Sequence, residues 1–416
     1  DTHIRYYEIY KGVTSDYEST YSSGIKDVAA RIDFDYVPAP GHYIRFGISD
    51  IVHRFNPGVM AYVLDASGSI NNNTSLNYGG NVVYTQEQGV YAEDDYQFTK
   101  RIKLNAGLHL SGFAVQDQWY KSIQPRLSFN YMVNNRFSIK AAYSDMTQYL
   151  HLLSNSNVGL PTDLWLPSTN RVAPMDSKQY ALGFVHAIGS MYELSIESYY
   201  KTMKGMIEYK EGAVYWGQFD DWQDKIESGD GWAYGSEFLL QKKTGKTTGW
   251  IGYTLSWNNR RFANINSGKT FPARYDQRHD INIVVNHQFS PKVDMGLTWV
   301  YSSGTAFTLN AEEFLFYSPD KQQSGNIIQS AGTRDGFRMP SYHRLDLGFN
   351  FHRKRSWGER IWRIGVYNLY SRRNPFFIYT KNETTLDKSD NLVQNISFKQ
   401  VSLFPIIPSI TYSFNF

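Results

Sequence analysis

Read every second residue between Gly231 and Ser303 and two different chains emerge. Trp232, Tyr234, Phe238 and Leu240 alternate with Ala233, Gly235, Glu237 and Gln241. After a Thr244-Gly-Lys246 turn, Ile251, Tyr253, Leu255 and Trp257 alternate with Gly252, Thr254, Ser256 and Asn258. Ile281, Ile283, Val285 and Phe289 then oppose Asp280, Asn282, Asn286 and Gln288. Beyond Ser290-Pro291, the set Val293, Met295, Leu297, Trp299 and Tyr301 opposes Asp294, Gly296, Thr298 and Ser302. Side chains on a strand point to opposite faces in turn. Each segment is therefore a strand with one greasy, aromatic face and one small or polar face. A soluble sheet over a core shows that pattern, and so does a barrel with lipid outside and a wet lumen inside. The segments reach the roughly 9–11 residues that a tilted strand needs to cross a bilayer.

The connections decide between the two. Short turns are read at Pro38-Ala-Pro-Gly41, Thr99-Lys100, Asn134-Asn135, Gly189-Ser190, Thr244–Lys246, Ser290-Pro291 and Trp357-Gly358. Between them lie long polar stretches at 56–80, 148–176, 203–230, 305–340 and 381–396. Tight and long connections are expected to alternate along the chain without a break, which is how outer-membrane barrels sort their two ends. The pattern predicts an all-β, transmembrane, antiparallel up-and-down β-barrel with about 15 or 16 strands present. No helical domain or linker interrupts the series, so residues 1–416 read as a single barrel domain. The last strand ends at Phe416; placing that end with the short turns makes the C-terminus periplasmic and the long loops extracellular, in a Gram-negative outer membrane.

Composition agrees. No run approaches the ~18 consecutive apolar residues of a membrane helix, yet 16% of the chain is Phe, Trp or Tyr, enough for interfacial girdles. Trp250, Trp257 and Trp299 are expected as such anchors, and Asn258, Asp280, Asn282 and Asp294 as lumen lining. A formal net charge of +3 is too small to argue for a nucleic-acid partner. The absence of cysteine excludes disulfide scaffolds and Cys-ligated metals. No signal peptide stands at Asp1, so a mature chain or a piece of a longer one is expected.

Several segments, in this order and spacing, resemble TonB-dependent outer-membrane transporters, particularly those common in Bacteroidetes. They are Gln88-Gly-Val-Tyr-Ala-Glu-Asp-Asp95, Arg101-Ile-Lys-Leu-Asn-Ala-Gly-Leu108, Gln124-Pro-Arg-Leu-Ser-Phe-Asn-Tyr131 and Gln148-Tyr-Leu-His-Leu-Leu153. Tyr234-Gly-Ser-Glu237, Thr248–Ser256, Phe271-Pro-Ala-Arg-Tyr-Asp-Gln-Arg-His-Asp280, Asn368-Leu-Tyr370 and the aromatic terminus complete the set. The resemblance implies the C-terminal part of a barrel of roughly 22 strands, whose N-terminal plug domain is not in this chain. It implies energised uptake of a scarce ligand such as a siderophore, vitamin, peptide or glycan. Its implied partners are outer-membrane lipid, a TonB-type energising complex reached through the plug, the imported ligand and, in some systems, a surface lipoprotein. A complete 16-stranded passive porin and an outer-membrane enzyme or structural envelope component are the alternatives.

Two groups are the candidate ligand contacts. Tyr215, Trp216, Phe219, Asp220, Asp221 and Trp222 combine aromatic faces with acids, a composition that stacks on sugars or planar ligands. Arg274, Asp276, Arg278 and His279, beside Asp280, form the densest charged cluster, and a salt-bridge network at a strand start is the competing reading. His109 and Ser111 share a strand face but lack an orienting partner, so no catalytic residue is assigned. His279 has no second His at a metal-ligand spacing, and neither metal nor cofactor is expected. Asp65–Tyr78 reads as a solvated loop. Arg353, Lys354, Arg355, Arg360, Arg363, Arg372 and Arg373 read as one basic cluster at a rim, facing water or anionic headgroups.

Overall fold

In a computed structural model of the chain, these alternations become one wall of antiparallel strands. The structure describes residues 2–8, 15–66, 74–79, 82–154, 164–211, 213, 221–308, 310–317, 325–355, 358–386 and 392–415. In chain order the strands are β1 (Thr2–Glu8), β2 (Ser15–Tyr36), β3 (His42–Ala66), β4 (Thr74–Gly79), β5 (Val83–Tyr96), β6 (Ile102–Val115), β7 (Gln118–Asn134) and β8 (Phe137–Gln148). There follow β9 (Leu150–Leu153), β10 (Leu164–Pro167), β11 (Met175–Ile188), β12 (Tyr192–Tyr209), β13 (Ile226–Lys242), β14 (Thr247–Arg261), β15 (Phe271–Pro272), β16 (His279–Ser290) and β17 (Val293–Ser302). The remainder are β18 (Ala306–Phe307), β19 (Asn310–Tyr317), β20 (Gly325–Ala331), β21 (Phe337–Arg338), β22 (Tyr342–Arg355), β23 (Gly358–Tyr367), β24 (Pro375–Leu386), β25 (Leu392–Ser402) and β26 (Ile407–Asn415).

Fifteen of them form the up-and-down sheet, each paired with the next: β2, β3, β5–β8, β11–β14, β16, β17, β22, β23 and β26. Register fixes the two faces. Ile283, Trp299 and Leu345 stand side by side, as do Leu297, Leu347 and Val366 one step along. The opposite face aligns Asn286, Gly296 and Gly348, and Asp294 with Asn350. The apolar face is bare: Val28 is 76% exposed, Ile123 69% and Ile410 67%. In water such a face would be an aggregation surface; against acyl chains it is the solvated side. No helix among the described residues is long and apolar enough to cross a membrane, and here strands do the crossing.

The structure corrects the sequence reading in four places. The loops expected at 56–80, 148–176, 203–230, 305–340 and 381–396 contain ladders: β3 continues to Ala66 and pairs with β4, β9 pairs with β10, β12 continues to Tyr209 against the start of β13, β19 pairs with β20, and β24 with β25. Strand beyond the bilayer needs no outward apolar stripe, so it carries no periodic signal. The alternation of tight and long connections also breaks once. Gln116 and Asp117 alone join β6 to β7 at the long-loop end, with Gln116 at φ 50°. The space above that hairpin is taken by the following loop, whose Tyr149 stacks on Phe113 at 4.7 Å. Trp250 does not share the face of Trp257 and Trp299: it pairs with Gln241 and Val284 and lies against Gly252, on the lumen side. Finally, the single basic cluster divides. Arg353–Arg360 flank the β22–β23 hairpin, Arg363 sits opposite Asn350 on the polar face, and Arg372 and Arg373 follow β23 at its other end.

Candidate functional site

Glycine cuts a recess into the lumen face of the first strands. A Cβ at Gly47 would stand 2.6 Å from Asp33 Oδ1 and 2.7 Å from the Tyr91 ring; one at Gly89 would stand 2.8 Å from Ser49 Oγ and 2.9 Å from His109 Nε2; one at Gly107 would meet Glu93 Cβ at 2.9 Å. Because these three positions carry no side chain, their neighbours lean across them and leave a cavity of about 370 Å³. Arg31 of β2, Arg45 and Ser49 of β3, Tyr91 and Glu93 of β5, His109 of β6 and Arg126 of β7 line it. Three arginines face Glu93, with Asp33 paired behind Arg31, and the recess is left net cationic.

The side chains are held but not used up. Tyr91 donates to Asp33 (2.7 Å), and Arg31 pairs with the same carboxylate (2.8 Å). Arg45 pairs with Glu93 at 2.5 Å while remaining 42% exposed. His109 Nδ1 is buried with no hydrogen-bond partner. Ser111 is committed elsewhere, 2.7 Å from the Tyr149 hydroxyl and 2.9 Å from the Gln124 amide that donates to it. His109 and Ser111 therefore form no nucleophile and base couple. Among the described residues, no group of three or more His, Asp or Glu side chains is placed to hold a metal ion.

The long-loop end is built differently, around buried charges. Glu208, 2% exposed, receives Arg260 and, at 3.0 Å, Arg334. Asp276, also 2% exposed, binds Arg338, lies 3.6 Å from Arg278, and accepts the Asn258 backbone N–H at 2.6 Å. Asp335 stands next to Arg334 in the loop, outside the wall strands. Burial raises its carboxyl to about 6, against the opposing pull of Arg334. Thr308 donates to one of its oxygens at 3.2 Å. These contacts tie the segment after β14 to the segment between β17 and β22.

A second lock packs against the same end of β12. The β9–β10 ribbon contributes Leu153, Leu164 and Leu166 to a small core with Val172, Ile207, Tyr209 and Ile226. His151, in that ribbon, is 2% exposed, sits 3.1 Å from Ser168 Oγ and bonds the Ala173 backbone. Burial lowers its pKa to about 4, so it is neutral at ordinary pH.

The candidate contacts named from sequence scatter. Tyr215, Trp216, Phe219 and Asp220 lie outside the described residues. Asp221 caps a short 3-10 turn, accepting the Gln223 N–H at 3.2 Å, and Trp222 packs on the ribbon core. Arg274 lies 5.7 Å from the Tyr275 ring. Asp276 belongs to the buried network, and Arg278 stacks on Trp257 at 4.4 Å. His279 points the other way from Asp280: it shares the outward face with Ile281 and stacks on Tyr253, whose hydroxyl is 3.0 Å from Nδ1. The cavity arginines were not singled out. Their signal was present: Arg31, Asp33 and Asp35 alternate with Ile32 and Phe34, and Arg45, Gly47 and Ser49 with Phe46 and Ile48.

A continuous wall of paired strands, greasy outside and charged inside, with the β9–β10 ribbon packed at one end, defines an outer-membrane barrel. The chain belongs to the family described as TonB dependent receptor-like, beta-barrel, whose model it matches over residues 2–369. No curated protein matches its sequence. Among solved structures, the FrpB iron transporter from Neisseria meningitidis superposes with a TM-score of 0.58 at 11% identity, over 96% of this chain and 58% of that one. The ferric yersiniabactin uptake receptor FyuA from Yersinia pestis gives 0.57 at 13% identity, over 97% and 55%. The ferripyoverdine receptor of the Pseudomonas aeruginosa outer membrane gives 0.56 at 11%, over 99% and 51%. At such identities the likeness is one of fold. The chain spans about half the length of these receptors.

Proposed function

We propose that residues 1–416 act as one barrel unit of an outer-membrane transporter that imports an anionic ligand with energy supplied through a TonB-type complex. The long ribbons and loops face outward to the medium, and the C-terminus lies on the periplasmic side. The observation that carries the reading is the cationic recess of Arg31, Arg45 and Arg126 in the lumen wall, half-open and polar where a packed interior would be apolar. Ferric chelates, the cargo named for the similar receptors, are one class of compact ligand rich in anionic oxygens. Arginine's planar fork suits carboxylate and catecholate oxygens, because it offers paired donors and a permanent charge. Glu208 and Asp276 fasten segments at the long-loop end of the wall.

The test is uptake by cells producing the full-length receptor, with iron-labelled citrate and catecholate chelates supplied in turn. Uptake of at least one is expected, abolished by a protonophore and lowered about tenfold by Arg45→Ala with Arg126→Ala. Uptake that persists without the protonmotive force, or large steady pores from the full-length receptor in planar bilayers, overturns the energised reading in favour of passive diffusion.

A further inference from the structure

The outward face is not uniformly bland. At the loop end of β17 and β22, one step beyond the aliphatic row of Leu297, Leu345 and Leu347, Trp299, Tyr301, Ser341, His343 and Tyr370 line a cleft of about 460 Å³. Register places Tyr301 beside His343 on the lipid side, and their rings stack at 6.4 Å. The Tyr370 hydroxyl lies 2.7 Å from His343 Nδ1. A phenol O–H is the stronger donor of the pair, so the hydroxyl gives its proton to Nδ1 and the neutral imidazole carries its own on Nε2, as an N–H donor. At the rim, Arg372 binds the Ser341 carbonyl at 2.9 Å, which sets a permanent cation beside the cleft.

An aromatic, mostly apolar cleft with one oriented N–H donor and one cation matches the boundary between acyl chains and a phosphorylated headgroup. A soluble anion has no use for an aliphatic floor, and a plain hydrocarbon chain has none for the donor and cation. We propose that this cleft is a binding site for a phosphate-bearing lipid, its phosphate on His343 Nε2–H and Arg372, its headgroup against Trp299 and Tyr301, and its chains along Leu345 and Leu347. The chemistry of the cleft stands independently of the cargo proposed above; only the leaflet it meets, the outer one, follows from the proposed orientation. The division of the basic residues fits: Arg372 and Arg373 sit at this end, away from those at the β22–β23 hairpin.

The full chain in neutral detergent micelles is titrated with diphosphorylated lipid A, with its dephosphorylated counterpart and with inorganic phosphate, and the bound species are counted by native mass spectrometry. One lipid A per protein is expected at the lowest lipid ratio. Removing its phosphates is expected to weaken it about tenfold, and inorganic phosphate is expected not to displace it. His343→Leu is expected to reproduce that loss, and His343→Gln, which keeps a donor near Nε2, to recover most of it. Equal binding of the dephosphorylated lipid by the unaltered protein overturns the proposal without recourse to any variant. So do displacement by inorganic phosphate and unchanged lipid A binding by a His343→Leu protein that keeps the heat-modifiable mobility of a folded barrel.

Discussion

Glu208 and Glu93 make the same contact, a carboxylate against an arginine, at the two ends of what this molecule does with charge. The Glu208 side chain is 3% exposed between Arg260 and Arg334, at 15% and 11%. Glu93 and Arg45 stand at 23% and 42%. In the first setting water is gone, and the pair holds only because each charge has the other. In the second, water screens the contact and the guanidinium remains open to a ligand. Buried ion pairs here are joinery for the loops; half-exposed ones are equipment of the lumen.

That contrast can be broken most severely at Glu208. Glu208→Ala leaves Arg260 and Arg334 buried without a counter-charge and is expected to cost about 3–5 kcal/mol, read as a lowered urea midpoint for the barrel in detergent. A loss below about 1 kcal/mol would place Glu208 in the same class as Glu93.

His151 sharpens the comparison through pH. Its folded pKa of about 4 lies below the ordinary 6.5, so its contribution is fully present above pH 6.5 and is lost as pH falls toward 4. The protonated ring must leave its ribbon, which weakens that lock by about 3 kcal/mol. Limited proteolysis of the 149–174 segment between pH 7 and pH 4 should accelerate in the wild type and stay flat in His151→Gln. A wild-type rate independent of pH would remove the ribbon from the list of buried locks.

Asp335 has the opposite sign. Its carboxyl is raised to about 6 from 3.8, so the neutral form's benefit is present below pH 3.8 and lost as pH rises through 6. At pH 7 the charged form is carried at a cost, and Asp335→Asn is expected to stabilise by about 1–3 kcal/mol. Thermal unfolding at pH 7 and at pH 4 checks it, since the gain should vanish at the lower pH.

The smallest effect on stability belongs to the lumen. Arg45→Ala is expected to change it by less than about 1 kcal/mol while weakening capture of an anionic chelate. A destabilisation as large as that of Glu208→Ala would erase the distinction between the two settings.

The wall itself was legible from composition and order. Ile281, Ile283 and Val285 against Asp280, Asn282 and Asn286 state both faces of β16, and a period of two admits no other reading of Val293 to Tyr301. The locks were not. Glu208 is 126 residues from Arg334 and Asp276 is 62 from Arg338, and no local pattern announces which charges will be enclosed together. His279 shows the same limit at short range: inside a charged run it read as a ligand contact, yet the alternation turns it outward onto Tyr253. Period-two chemistry, set by the backbone, determined strands with one greasy and one wet face, and the order of tight and long connections made them a barrel wall. Which arginines stay open to the lumen, and which are spent closing its mouth, depended on burial, and burial is decided only when distant segments fold over one another.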